Sequence, residues 1–575
     1  MTPLRRLATG MLALLSILLP AGVIAPALAD VAATKHNLSV SGTGTIRASS
    51  ETQICIFCHA PHNSTPSAPL WNRRDPGSNY VPYSSSTAKA LAGQPNGASL
   101  ACLSCHDGTI ALGDLVSRTS KVSMAGGVGA MPAGTSNLGT DLSDDHPVSF
   151  TYSSSLPAQR NGELVDPSLL IGKVRLDSSG RMQCTSCHDP HDDSNGKFLV
   201  IPNTASALCT TCHTKSDWNA SSHKLSGAGW NGAGSDPWPH TTAATVSANG
   251  CENCHRPHSA GGRKWLLNSA AEEGNCYPCH NGNVAAKNIE SEFTGKPSIH
   301  PVALTTGVHD AAEAGIAQNR HVECQDCHNP HATKSVSGNL PGSLTGVRGI
   351  SITGAEVTPA TAEYQICFRC HADSTGKPAP HTTRQIAQTN TRLEFDTANP
   401  SYHPIAGPGK NPNVPSLLSP WTTSSVVKCS DCHSNSSGPG AGGTGPKGPH
   451  GSLYSPLLER RYVTTDNTTE SASNYALCYK CHDRNVITQG GGGFSEHKKH
   501  VVEEKTPCNV CHDPHGVSVT QGSTGHNSKL INFDTTVVTA NSSGRLEYTS
   551  TGTGRGTCYL KCHGDNHNPE SYPDN

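Results

Sequence analysis

The chain offers few runs in which apolar positions recur with a helical or strand period. One continuous apolar stretch stands out, residues 11–19, preceded by Arg5 and Arg6 and followed by the small-residue site Ala27-Leu28-Ala29 before Asp30. That layout predicts a secretory signal peptide over residues 1–29, which is set apart from the fold. No later stretch is apolar and long enough to predict a membrane-spanning helix. The remaining pattern predicts single helical turns, short helices and much coil, with residues 438–445 as loop. Near the C-terminus, residues 531–538 and 545–549 alternate with β-branched and aromatic positions around Asn541-Ser-Ser-Gly544, which predicts one β-hairpin.

Composition sharpens this picture. Only 34% of the 575 residues are hydrophobic and 5% aromatic, against 57 glycines and 40 prolines. A chain of this length ordinarily divides into several domains with apolar cores. This one lacks the side chains to build them and reads, on composition alone, as half disordered. Something other than side chains must fill the interior.

The cysteines say what that is. There are 24, in twelve pairs, and every pair is followed at once by a histidine. Eleven are C-x-x-C-H. The first six are Cys55/Cys58/His59, Cys102/Cys105/His106, Cys184/Cys187/His188, Cys209/Cys212/His213, Cys251/Cys254/His255 and Cys276/Cys279/His280. Five more are Cys324/Cys327/His328, Cys367/Cys370/His371, Cys429/Cys432/His433, Cys478/Cys481/His482 and Cys508/Cys511/His512. The twelfth, Cys558-Tyr-Leu-Lys-Cys562-His563, carries one extra residue.

Two cysteines one helical turn apart reach the two vinyl groups of one porphyrin as thioethers, and the next residue sets an imidazole under the iron. A single such motif also suits a redox dithiol, a disulfide or half a zinc site. Neither disulfide nor zinc chemistry demands a histidine after every pair. The expectation is therefore haem c, twelve copies covalently bound, with the macrocycles supplying the missing apolar core.

The motifs alternate. Odd ones are followed by Pro-His, giving His62, His191, His258, His331 and His515; in the ninth the same dipeptide is delayed to His450 by a Gly-rich insertion. Another histidine precedes each odd motif: His36, His146, His240, His300, His403 and His500. These two sets supply one sixth ligand for each iron. A histidine three residues past the proximal one cannot bend round to the opposite face of the same haem, and the intervening proline stops the turn from continuing. It should therefore ligate a neighbouring haem. His497 competes with His500 and His321 with His300, while His223, His309, His381, His526 and His567 read as surface or supporting histidines. The chain is thus six repeats of upstream His, motif, Pro-His, motif: residues 30–139, 140–238, 239–290, 291–395, 396–490 and 491–575. Such repeats predict an elongated architecture.

The doubled motif, with Cys58-His59-Ala60-Pro61-His62 in the first member, the opening Lys35-His36-Asn37-Leu38-Ser39 and the later Cys105-His106-Asp107-Gly108-Thr109, resembles the paired-motif multihaem cytochromes of metal-reducing, Geobacter-like bacteria. The resemblance spans the whole mature chain. It implies a haem-scaffolded fold, mostly coil with short helices and few β-hairpins. It also implies low-spin haems with two histidine ligands, stacked into a wire. Some members polymerise into extracellular filaments through an N-terminal histidine, a part His36 would take here.

An iron with two histidine ligands has no open face for substrate and exchanges electrons only. The expected function is therefore an electron-transfer conduit outside the cytoplasm, in periplasm, outer surface or extracellular space, and not an enzyme. Partners would be other cytochromes, extracellular metal oxides or further copies of the chain. The rival is a multihaem reductase with one open haem. Removing Arg5 and Arg6 with the leader moves the formal charge from −2 to −4, and propionates add more, which disfavours nucleic acid.

Overall fold

The computed structural model describes residues 31–572, apart from 66–67, 160–161, 304–321, 335–339, 375–376, 491–492, 519–525 and 553. The signal-peptide reading of residues 1–29, and His309 and His321, lie outside the described residues. As the composition predicts, the described chain is mostly coil with few helices and small sheets. The longest helices, Gly97–His106, Glu273–His280 and Glu363–His371, end on motif histidines. Among the described residues no helix is long and apolar enough to cross a membrane.

Eleven motifs begin on a helical turn, either α or 3-10. In most of them the histidine N–H donates to the carbonyl of the first cysteine, 2.8 Å for His59 to Cys55 and 2.9 Å for His328 to Cys324. That bond sets both cysteines and the imidazole along one edge of the turn. Local sequence starts these turns. Asp326 and Asp431, between the paired cysteines, each accept the backbone N–H of the residue before the motif, at 2.8 Å, and so cap the turn.

After five of the Pro-His dipeptides the chain doubles back. The N–H groups of Asn72, Val200, Asn268, Glu459 and Asn532 donate to the carbonyls of Cys58, Cys187, Cys254, Cys432 and Cys511, the second cysteines of odd motifs. Residues just before the return take left-handed backbone, as at Lys197, Phe198, Trp265 and Leu266. The Pro-His is thereby carried on a loop pinned at both ends to its own motif.

Two expectations are corrected at the C-terminus. Residues 531–538 form turns instead of a strand, and the sheet there has three antiparallel strands, Glu547–Gly552, Arg555–Cys562 and Asp565–Tyr572, with Arg555–Cys562 in the middle. The first strand includes much of the predicted 545–549 segment. The twelfth motif lies in the middle strand and not on a helical turn. Its extra residue gives a spacing of four, which suits extended backbone, and its flanks are β-branched and aromatic.

Apolar packing is divided into small clusters beside the motifs. Ala48, Phe57, Leu112, Leu115 and Met124 pack near the first two, and Val510, Phe533, Val538, Tyr548 and Leu560 near the last two. Arg73 is fully buried between the first and second motifs, where its guanidinium donates to the carbonyls of Ser104, Ala111 and Leu112.

Candidate haem-binding sites

The motif histidines do not stand alone. An iron held by two imidazole nitrogens at about 2 Å each puts the ring centroids roughly 6 Å apart. Among the described residues, ten histidine pairs have that separation. Five join an odd motif to the Pro-His of the next repeat: His59 with His191 (6.2 Å), and His188 with His258, His255 with His331, His328 with His450 and His433 with His515 (each 6.1 Å). Four join an even motif to an upstream histidine: His106 with His36 (6.1 Å), His213 with His146 (6.3 Å), His280 with His223 (6.2 Å) and His371 with His300 (6.3 Å). The tenth joins His512 to His497, at 6.2 Å. By the even-motif order His403 would pair with His482; burial first, then the charge of His403, lowers His482 to about 4.

Hydrogen bonds orient these rings. The Nδ1–H of His36 donates to the carbonyl of Pro190 at 3.0 Å, that of His223 to Pro330 at 2.8 Å and that of His300 to Pro449 at 2.8 Å; His403 does the same to Pro514. Each acceptor is the proline of a Pro-His dipeptide, so one short segment holds two rings for two different irons. Motif histidines use other carbonyls, His188 that of Lys197 and His255 that of Trp265, both at 2.9 Å. A carbonyl can only accept, so Nδ1 carries the proton and Nε2 keeps its lone pair, the state a metal ligand needs. Burial supports the same state: it holds His280 and His371 at about 4 and His331 and His450 at about 3, neutral at physiological pH.

Three of the histidines expected as sixth ligands stand elsewhere. His240 has its Nε2 2.9 Å from the carbonyl of Glu252, so that nitrogen is taken, and His223, read from sequence as surface, faces His280 instead. His500 packs against Phe494 and Tyr572, and His497 takes the place beside His512. His62 is exposed and, among the described residues, faces no motif histidine. The other five Pro-His histidines in the described residues each reach back one repeat.

The cysteines form one line. Second cysteines neighbour each other within a repeat: Cys58 with Cys105, Cys187 with Cys212, Cys254 with Cys279, Cys327 with Cys370 and Cys432 with Cys481. First cysteines meet between repeats: Cys102 with Cys184, Cys209 with Cys251, Cys276 with Cys324, Cys367 with Cys429 and Cys478 with Cys508. The Sγ atoms of Cys276 and Cys324 lie within 4.8 Å. Cys511 neighbours both Cys558 and Cys562, which brings the twelfth motif to the end of the line. None of the 24 cysteines is paired in a disulfide. Burial pushes the thiols of Cys58 and Cys254 up to about 12.

The space beside these residues fits porphyrin. A continuous cavity of about 3620 Å³ runs along the motifs from Cys276 to His563, far more than a protein packed at crystal density leaves open. The twelfth motif fits less well. With strand geometry, positions four apart are roughly 13 Å apart, too far for adjacent vinyl groups. In addition His563 places Nε2 3.0 Å from the Asp466 carboxylate. Among the described residues it has no imidazole opposite it.

Covalent haem c, many copies on one chain with paired histidines, is the class this geometry defines. Comparison with known proteins agrees. The doubled CXXCH motif family model matches residues 178–217, and the model of outer membrane cytochrome MtrC/MtrF-like domains II/IV matches residues 243–402. The multiheme cytochrome MtrA of Shewanella baltica (strain OS185) is 25% identical over 306 residues, covering 50% of this chain and 80% of that protein. In these segments the chain is similar to multihaem c-type cytochromes with doubled CXXCH motifs.

Proposed function

We propose that the chain is a conduit carrying electrons along twelve covalently attached haems outside the cytoplasm, in six haem-pair modules. The observation that carries this reading is the set of histidine pairs with ring centroids 6.1–6.3 Å apart, each setting a second imidazole opposite a motif histidine. Haem supplies, when bound, a one-electron Fe(III)/Fe(II) couple. The protein's part is to set attachment points in sequence, to hold two imidazoles on each of eleven irons, and to exclude water from the line between them. Paired imidazoles leave those irons no open face, so the chain exchanges electrons without binding a substrate. Cys558, Cys562 and His563 keep every group needed for a twelfth haem; its attachment turns the strand they occupy into a loop.

The named relatives support service in extracytoplasmic electron transfer, with another cytochrome as donor or acceptor and a metal oxide as a terminal acceptor. A reductase with one open iron is the second reading, and the observation that favours it is His563, which faces a carboxylate in place of an imidazole. One experiment separates them. Fully reduced holoprotein is mixed with a ferric chelate, with ferric oxide or with nitrite, and the haem absorbance is followed. The conduit predicts that ferric acceptors reoxidise all haems in turn while nitrite leaves them reduced. Rapid reoxidation by nitrite, abolished by Cys558→Ala/Cys562→Ala, establishes the reductase.

A further inference from the structure

Five Pro-His histidines stand at equivalent positions in successive repeats, each facing an odd motif, and their Nδ1 atoms meet different surroundings. His258 donates to Oδ1 of Asp145 at 3.0 Å, and His515 to Oε2 of Glu394 at 3.1 Å. Both carboxylates are buried, with side chains 5% and 11% exposed. Oδ1 of Asp145 also accepts the N–H of Ser259, and its Oδ2 is buried without a partner. Asp513 joins Glu394 and His515, and Arg384 pairs with Asp513 at 3.4 Å. The remaining three differ. His191 has Asp189 at 3.3 Å, but both side chains are about half exposed and solvent screens them. His331 packs edge-on against Trp218, and the Nδ1 of His450 is buried without a hydrogen-bond partner.

We propose that Asp145 and Glu394 are positioning residues that lower the reduction potentials of the third and ninth haems relative to the seventh. The proposal rests on the paired-histidine reading above. A carboxylate that accepts from Nδ1 draws the proton toward itself and makes Nε2 a stronger donor. A stronger donor, with a negative charge in a poorly screened interior, favours Fe(III) over Fe(II). The exchange remains one electron in and one out between neighbouring haems, and the Nδ1 proton stays in its hydrogen bond throughout. The seventh haem, with His450 hydrogen-bonded to no charge, keeps the higher potential. The line then carries two steps of low potential, one near its start and one about three-quarters of the way along, and electrons leave them for the haems on either side.

Asp145→Asn and Glu394→Gln test this, because each keeps an oxygen to accept from Nδ1 and removes only the charge. Spectroelectrochemical titration of each holoprotein is compared with the unaltered chain, with low-temperature EPR as control. The expected result is that one haem equivalent leaves the lowest-potential component and moves upward, on the order of 59 mV for a tenfold change in relative Fe(III)/Fe(II) stabilisation, with every iron still low-spin. The double variant moves two. Unchanged potentials with low-spin EPR overturn the proposal and leave the paired-histidine reading intact. A high-spin signal in the Asn or Gln variants also overturns it, because the carboxylate then only holds the ring in place. The reading beneath is checked by His258→Ala: if no high-spin iron appears, His258 is not a ligand, and the pairing itself fails.

Discussion

The ring of His331 lies 6.1 Å from that of His255 with the two planes 13° from parallel, although the histidines belong to consecutive repeats. The same reach-back joins His191 to His59, His258 to His188, His450 to His328 and His515 to His433. Each of the first five repeats thus borrows the ligand of its odd site from the next, whereas in the sixth His497 of the same repeat faces His512. The rings over even motifs are turned differently: His223 and His280 cross at 86° and His146 and His213 at 80°.

Reach-back makes a specific forecast for single histidines. His331→Ala opens the iron of the fifth motif, so one haem equivalent becomes high-spin and binds CO when reduced. His62→Ala leaves the spectra unchanged, because His62 is exposed and faces no motif histidine among the described residues. CO difference spectra of the two variants check both outcomes.

His223 and His240 reverse the roles their sequence contexts suggest. His223→Ala is expected to free the sixth iron for CO, again one haem equivalent. His240→Ala loses only a hydrogen bond to the Glu252 carbonyl, costing about 1 kcal/mol of stability with no new CO-binding haem. The same spectra, with a thermal melt, decide it.

These two cases show where sequence stopped being legible. Attachment sites were readable because thioether chemistry fixes Cys, Cys and His at adjoining positions. The Pro-His set was readable because its offset is covalent too. Sparse regular structure followed from the shortage of apolar residues. The upstream ligands depend on chain folding across many residues, where local pattern carries little. His240 precedes the fifth motif much as its counterparts precede theirs, but His223 lies farther from the sixth motif, closer to the spacing of His146 from His213. That spacing was the available signal. Between His497 and His500 the wide helical turn Lys498–Glu503 decides, and no residue in it announces that geometry.

The twelfth motif bears directly on the haem count. Intact mass of the mature holoprotein is expected to equal the chain plus twelve haems, and Cys558→Ala/Cys562→Ala to remove one. A mass with eleven haems would mean that the strand Arg555–Cys562 is the native state of that segment.

Glu272 gives the pH dependence its sign. Burial, and then the neighbouring Glu323, raise its carboxyl well above the ordinary 4.5. The folded chain thus keeps a proton that the unfolded chain releases as pH rises past about 4.5. Stability therefore falls from that pH upward until the folded carboxyl ionises, by at most about 1.4 kcal/mol per pH unit for one group. Glu272→Gln keeps an acceptor for the Gln325 N–H and removes this contribution. Melting temperatures between pH 5 and pH 9 should decline less steeply in the variant; parallel declines would show that Glu272 is ionised in the fold.

The central claim is that eleven irons each carry two imidazoles along one unbroken line. Low-temperature EPR of the oxidised holoprotein, with CO titration of the reduced form, tests it most directly. The account predicts low-spin signals for all eleven paired sites and a CO-binding fraction no larger than one haem in twelve, lost in Cys558→Ala/Cys562→Ala. High-spin iron or CO binding in a larger share of the haems would contradict it.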